Sequence, residues 1–182
     1  SYLTYGNSVI PEAMLCAYLS TGNPQYKAIA KTSFDFLLTK IFKKNHIKVI
    51  SNKGWFLRDA SKTKEQIGGE QPIDIAYTIL ALKKFSNVFN DAKYLKKIKI
   101  AFNWFLGKNH LHQIIYNPCT GGCYDGLEDT YVNLNQGAES TVSYLMARLT
   151  MEKLAKKIPK QISLDELKSS RLVYKKNINQ YN

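Results

Sequence analysis

Apolar side chains recur at helical spacing along most of the chain, while period-two alternation is rare and valine is scarce, so the pattern predicts an all-α protein. Five helices are expected, over about 7–20, 24–42, 71–85, 92–106 and 135–156. Val9, Ala13, Cys16 and Ala17 are inward candidates on the first. The Thr21-Gly22-Asn23-Pro24 turn ends that helix and opens the next, because proline sits well in a first helical turn, where its missing N–H is no loss. Phe34, Phe102 and Trp104 read as core. Beyond Pro159 a short helix is expected over about 164–173, in a basic tail spanning about 158–182 that follows a hairpin domain at about 1–157.

An internal repeat organises these helices. The segment beginning Tyr26-Lys-Ala-Ile-Ala-Lys aligns without a gap on the one beginning Tyr94-Leu-Lys-Lys-Ile-Lys, an offset of 94 − 26 = 68 residues. Phe34 falls on Phe102, Phe36 on Trp104 and Leu38 on Leu106. The unit is helix, short turn, helix, long loop, which predicts antiparallel hairpins. Every long loop then lies at one end of the array, beside the starts of the first, third and fifth helices.

That end carries the candidate chemistry. Residues 116–140 concentrate glycines, carboxylates, amides and tyrosines in a loop that buries little, a composition better explained by a ligand than by folding. Glu70 and Asp74 stand one helical turn apart, and Glu139 lies about a turn inside the fifth helix. Carboxylates facing each other across a cleft suit glycosidic bond chemistry, one as proton donor and the other as base or nucleophile. Glu70, Asp74 and Glu139 are therefore the catalytic candidates. Tyr5, Asn7, Trp55, Gln71, Tyr124, Asp125, Asn135 and Gln136 are the substrate-binding candidates, the aromatics stacking on sugar faces and the polar groups holding hydroxyls. Acids in a first helical turn also serve capping and the helix dipole, Glu12 among them, so catalysis is one of two readings for each.

Composition narrows the classes further. The chain has 182 residues, 45% of them hydrophobic and 12% aromatic, enough for a folded core. Its apolar runs fall well short of the roughly 20 residues that span a bilayer. No membrane span is expected, and the first residues lack the pattern of a secretory signal, so a cytoplasmic setting is expected. The 26 basic residues against 14 acidic give a net charge of +12, which permits attraction to nucleic acid, anionic membrane or an acidic protein. The lysines are spread over helix faces without a DNA-binding motif, so a basic scaffold is the weakest reading. Segment 153–176 is the best candidate for contact with an acidic surface. Cys16, Cys119 and Cys123 are expected as free thiols, with Cys16 a small core residue. His46, His110 and His112 lack metal spacing and are expected at the surface. No metal and no cofactor is expected, since phosphate-loop and dinucleotide fingerprints are both missing.

Several segments are familiar in combination. Leu3-Thr4-Tyr5-Gly6-Asn7, Gly54-Trp55-Phe56, Gln71-Pro72-Ile73-Asp74-Ile75-Ala76, Ala101-Phe102-Asn103-Trp104-Phe105-Leu106-Gly107, Gly121-Gly122-Cys123-Tyr124-Asp125-Gly126 and Asn133-Leu134-Asn135-Gln136-Gly137-Ala138-Glu139-Ser140 resemble an (α/α) toroid domain. That domain is associated with bacterial group 1 glycosyltransferases of the mannosyltransferase type and is related in shape to the six-hairpin glycosidases. The resemblance covers about residues 2–150 and is most specific in its last third. It implies a carbohydrate-associated domain, part of or partner to a glycosyltransferase, that binds or processes glycan at the long-loop rim. The different-class alternative is a noncatalytic module that docks a glycosyltransferase. The chain departs from the family pattern at Gly6, where an acid is expected, and at Gly69-Glu70-Gln71-Pro72, where the family tends to Asp-Gln-Gln-Pro. It matches about half of a six-hairpin ring, so either a partial toroid completed by an upstream segment or a partner, or a reduced relative of the family, is expected.

Overall fold

The computed structural model describes residues 2–54, 56–57 and 67–157, and statements of absence below refer to these. Five helices form: α1 (Val9–Thr21), α2 (Pro24–Ile41), α3 (Pro72–Phe89), α4 (Ala92–Phe102) and α5 (Ala138–Lys157). Four two-residue strands accompany them: β1 (Tyr2–Leu3) pairs antiparallel with β2 (Phe56–Leu57), and β3 (Gly126–Leu127) with β4 (Val132–Asn133). The chain divides into two compact units, Ser1–Met151 and Glu152–Asn182. Of the second, only the last turns of α5 are described. The expected helix at 164–173 lies outside the described residues, as do Trp55 and the tail.

The 68-residue repeat is visible in the backbone. Gly22 closes α1 in the left-handed conformation (φ 72°), and Asn90 closes α3 in the same way (φ 50°). One residue later, Asn23 and Asp91 each accept a 2.9 Å hydrogen bond from a backbone N–H two residues on, Gln25 and Lys93 respectively. These are N-caps that satisfy donors the helix leaves free, each contributing about 1 kcal/mol. Both turns therefore reverse the chain in the same way, and α1/α2 and α3/α4 pack as hairpins.

Between the hairpins, α1 and α3 run parallel. Gly6 meets Asp74, Ser8 meets Thr78 and Cys16 meets Lys84, so partners advance together along both helices. The core inside this arrangement is aromatic. Phe34 of α2, Phe85 of α3 and Tyr94 of α4 are fully buried with ring centroids 4.2–6.1 Å apart. A second cluster joins the end of α4 to α5, where Tyr144 packs on Phe102, Phe105 and Tyr116. Each hidden ring removes enough apolar surface from water to contribute about 1.5–3 kcal/mol. Phe34, Phe102 and Trp104 are core, as their periodicity indicates.

Three details differ from the pattern. The buried residues of α1 are Pro11 and Leu15, whereas Val9 and Ala13 are exposed and Cys16 and Ala17 half-buried. That helix is apolar on most sides, so periodicity alone does not select its inner face. α4 stops at Phe102 rather than near 106, because the amides of Trp104, Phe105, Leu106 and Gly107 each bond the carbonyl three residues back, tightening the chain out of α geometry. The long connections also carry sheet pairing that the sequence pattern did not indicate. Among the described residues no helix is long and apolar enough to cross a membrane.

Candidate functional site

The start of α3 is where the long connections meet. Gly68 (φ +82°) approaches the 128–129 backbone so closely that a Cβ would lie 2.2 Å from the Asp129 nitrogen, so only glycine fits. Asn52 N–H then donates to Gly69 O at 2.9 Å, and Glu70 exchanges two backbone hydrogen bonds with Leu127. Chain from 52, 68–70 and 126–128 is thereby locked together just ahead of Pro72.

Glu70 faces into this lock. Its Oε2 accepts from Trp104 Nε1 at 3.0 Å, and its Oε1 lies 3.1 Å from His110 Nδ1. The other ring nitrogen, His110 Nε2, lies 2.8 Å from the Glu128 carbonyl oxygen. A neutral imidazole has one N–H, but here both nitrogens face acceptors, so the imidazolium is favoured. Accordingly the hydrogen bond to the Glu70 carboxylate, with the charge behind it, holds the His110 pKa above its ordinary value against the opposing effect of burial. Glu70 is an almost fully buried carboxylate with both oxygens engaged. His110, expected at the surface, is instead half-buried, because a counter-ion and a carbonyl offset its desolvation. His46 and His112 are exposed.

Asp74 has the opposite environment; because α3 begins only at Pro72 and Glu70 sits in the extended chain bridged to Leu127, the two acids are not on successive turns of one helix face as expected. It is 6% exposed, and its Oδ1 accepts a 2.5 Å hydrogen bond from Gly6 N–H. Its Oδ2 is buried and has no partner. Glu128 Oε2 also lacks a well-directed hydrogen bond, but the Lys53 ammonium lies 2.5 Å from it. Asp74 Oδ2 has no such cation among the described residues. Burial pushes the Asp74 carboxyl up to about 6; the Gly6 N–H opposes this, and the charge of Glu139 adds to it. The start of α5 is thus electrostatically coupled to the start of α3.

Asp125 organises that start of α5. Its Oδ1 accepts from Gly137 N–H at 2.8 Å, and a Cβ on residue 137 would come within 2.9 Å of the same oxygen. Its own N–H donates to the carbonyls of Asn133 and Asn135. Asn52, Glu70, Gln71, Asp125, Asn133 and Glu139 are among the residues that line a cleft of about 400 Å³, whereas Asp74 and Tyr124 lie outside its lining. Glu139 is exposed there, and Gln71, the residue before α3, makes no side-chain cap.

The other candidates are placed as follows. Asn7 is occupied locally, since its side chain accepts from Thr4 N–H and donates to Thr4 O. Tyr5 and Asn135 are exposed, and Gln136 Oε1 accepts from the Thr120 hydroxyl at 2.5 Å. The Tyr124 hydroxyl accepts from Asn117 Nδ2 at 3.1 Å, which fixes the phenol beside the loop. Glu12 is ion-paired with Lys84 and takes no part in the cleft. Sequence reasoning missed the Gly6 N–H and His110; neither a backbone donor nor an isolated loop histidine leaves a spacing signal. The three cysteines are free thiols, and burial pushes the Cys123 pKa up to about 12. No family model matches this sequence, and no curated protein does.

Proposed function

We propose that this chain is a carbohydrate-associated domain of partial (α/α) toroid architecture, part of or partner to a glycosyltransferase, that handles glycan in the cleft between the starts of α3 and α5. The observation that carries the reading is Asp74, a buried carboxyl with one unpartnered oxygen and a pKa raised to about 6, coupled to the exposed Glu139 carboxylate. A buried acid whose raised pKa lets it hold a proton to higher pH than an ordinary carboxyl, coupled to a second carboxyl group, suits the paired acid and base roles of glycoside chemistry. In this reading Asp74 donates the proton and Glu139 acts as base or nucleophile. Gln71 and Asn133, which line the cleft, hold hydroxyls. Glu70 becomes a positioning residue, since both its oxygens are committed to Trp104 and His110.

The test is binding on a glycan array together with turnover on the glycans retained, comparing the wild type with Asp74→Asn and Glu139→Gln. Both variants are expected to retain glycan binding and to lose turnover by at least about 100-fold, the usual contribution of a general acid or base. A wild type that binds no sugar on the array would overturn the reading.

A second reading, a noncatalytic module that docks a glycosyltransferase, is favoured by one observation. Val142, Leu145 and Leu149 of α5 are 52%, 47% and 53% exposed and share one helix face, opposite the buried Ser143, Tyr144 and Ala147. Glycan binding without turnover in the wild type would favour this module.

A further inference from the structure

Away from the cleft, the α1/α3 seam ends in a cluster that the proposed function leaves unused. Lys84 Nζ lies 3.0 Å from Cys16 Sγ and 2.6 Å from Glu12 Oε1. Cys16 is half-buried and the Lys84 side chain 35% exposed, so a small oxidant reaches the pair while the surrounding helices keep it in register. The amine has no comparable freedom to leave the sulfur, because Glu12, one turn before Cys16 on the same helix, holds it from the other side.

We propose that Lys84 and Cys16 form a peroxide-driven covalent bridge through a single oxygen atom, Lys84 Nζ–O–Sγ Cys16, which staples α1 to α3. A first hydrogen peroxide oxidises the Cys16 thiol to the sulfenic acid and leaves one water. The Lys84 ammonium gives up a proton to solvent, a step that its contacts with Cys16 and Glu12 oppose by holding its pKa above the ordinary value. The N–O bond then forms between the amine and the sulfenic oxygen as one N–H and the S–O–H hydrogen are lost. The two electrons and two protons released go to a second peroxide, which becomes two waters. The sum is amine plus thiol plus two hydrogen peroxides giving the N–O–S bridge plus three waters. Two equivalents of a dithiol reverse it: four electrons and four protons break both the N–O and the S–O bonds and return the amine, the thiol and one water. A sulfenic acid elsewhere proceeds to sulfinic acid or meets a second thiol; here an amine already in contact with the sulfur lies within reach of the new oxygen.

The experiment is intact-mass spectrometry of the full chain in a Cys119→Ser background, treated with hydrogen peroxide under native conditions. The expected product is heavier by about 14 Da, one oxygen gained and two hydrogens lost, and returns to the starting mass with dithiothreitol. Proteolysis should release the Cys16 and Lys84 peptides as one linked species. Lys84→Arg keeps the positive charge but offers a guanidinium in place of the amine, and should yield the sulfenic or sulfinic acid, about 16 or 32 Da heavier. The bridge closes a 68-residue loop, so the oxidised wild type should also melt at a higher temperature than the reduced one, a difference missing in Lys84→Arg. Only the acids in the wild type, or a product about 14 Da heavier that survives Lys84→Arg, would overturn the proposal. Linked peptides are read on the wild type alone, so a variant that folds poorly does not blunt the test.

Discussion

Two buried acids four residues apart, Glu70 in the bridged chain before α3 and Asp74 in the first turn of that helix, have opposite environments. Glu70 is enclosed by donors: an indole N–H and an imidazolium satisfy both oxygens, and its backbone is tied to Leu127. Asp74 has one backbone donor, one orphaned oxygen and a like charge nearby. The first has both oxygens satisfied and holds loops together; the second is poorly compensated, so its ionisation above a pKa of about 6 destabilises the fold at neutral pH. Buried groups with perturbed ionisation cluster at functional sites, which is why the proposed function assigns the acid role to Asp74 and a positioning role to Glu70.

The sharpest way to break this contrast is Glu70→Ala. It leaves the Trp104 N–H and His110 without their acceptor, and should cost about 3–5 kcal/mol in urea unfolding. Asp74→Asn should do the reverse, raising stability at pH 7 by about 3 kcal/mol, since the rise in pKa from 3.8 to about 6 is slightly over two units at about 1.4 kcal/mol each. The sign follows from linkage: the folded pKa lies above the unfolded one, so the wild type has its full increment below about 3.8 and loses it as pH climbs through about 6. The gain from Asp74→Asn should therefore vanish in acid, as unfolding at pH 3.5 and 7 would reveal. A smaller effect is expected for His110→Asn. The imidazolium contributes fully below the unfolded value of about 6.5 and is lost as pH rises through the raised folded value, so unfolding followed from pH 6 to 9 should have a flatter profile in the variant. Smallest of all in stability is Glu139→Gln, within about 0.5 kcal/mol of wild type for an exposed side chain. Its signature is instead a lower Asp74 pKa in a carbon-detected NMR titration, because one of the influences raising it is gone.

Much of this architecture is written in the repeat. Tyr26 and Tyr94 start equivalent helices, and the left-handed Gly22 and Asn90, each followed by a capping Asn or Asp, are what a 68-residue offset demands. The site was legible to the extent that helix starts collect polar groups at one rim, which brought Glu70, Gln71, Asp125 and Glu139 to one cleft. What was not legible depends on tertiary partners. Nothing local distinguishes Glu70 from Asp74, because the donors that separate them come from Trp104, His110 and Gly6, 34 to 68 residues away. The inner face of α1 was ambiguous for a related reason: where most positions are apolar, the neighbour chooses the face. Phe36 and Trp104 occupy equivalent positions of the repeat, yet Phe36 is 52% exposed and Trp104 fully buried, since burial follows from what packs alongside rather than from the residue itself.

The parallel seam between α1 and α3 also bears on how the chain reaches its final state. Within each hairpin, partners are brought together by a turn of two residues, whereas the seam joins positions 68 to 70 apart and must close a far larger loop before any contact is gained. Hairpins therefore zip early and their docking comes late. Weakening the Ser8–Thr78 contact should hasten the departure from the native state while leaving the speed of arrival almost untouched.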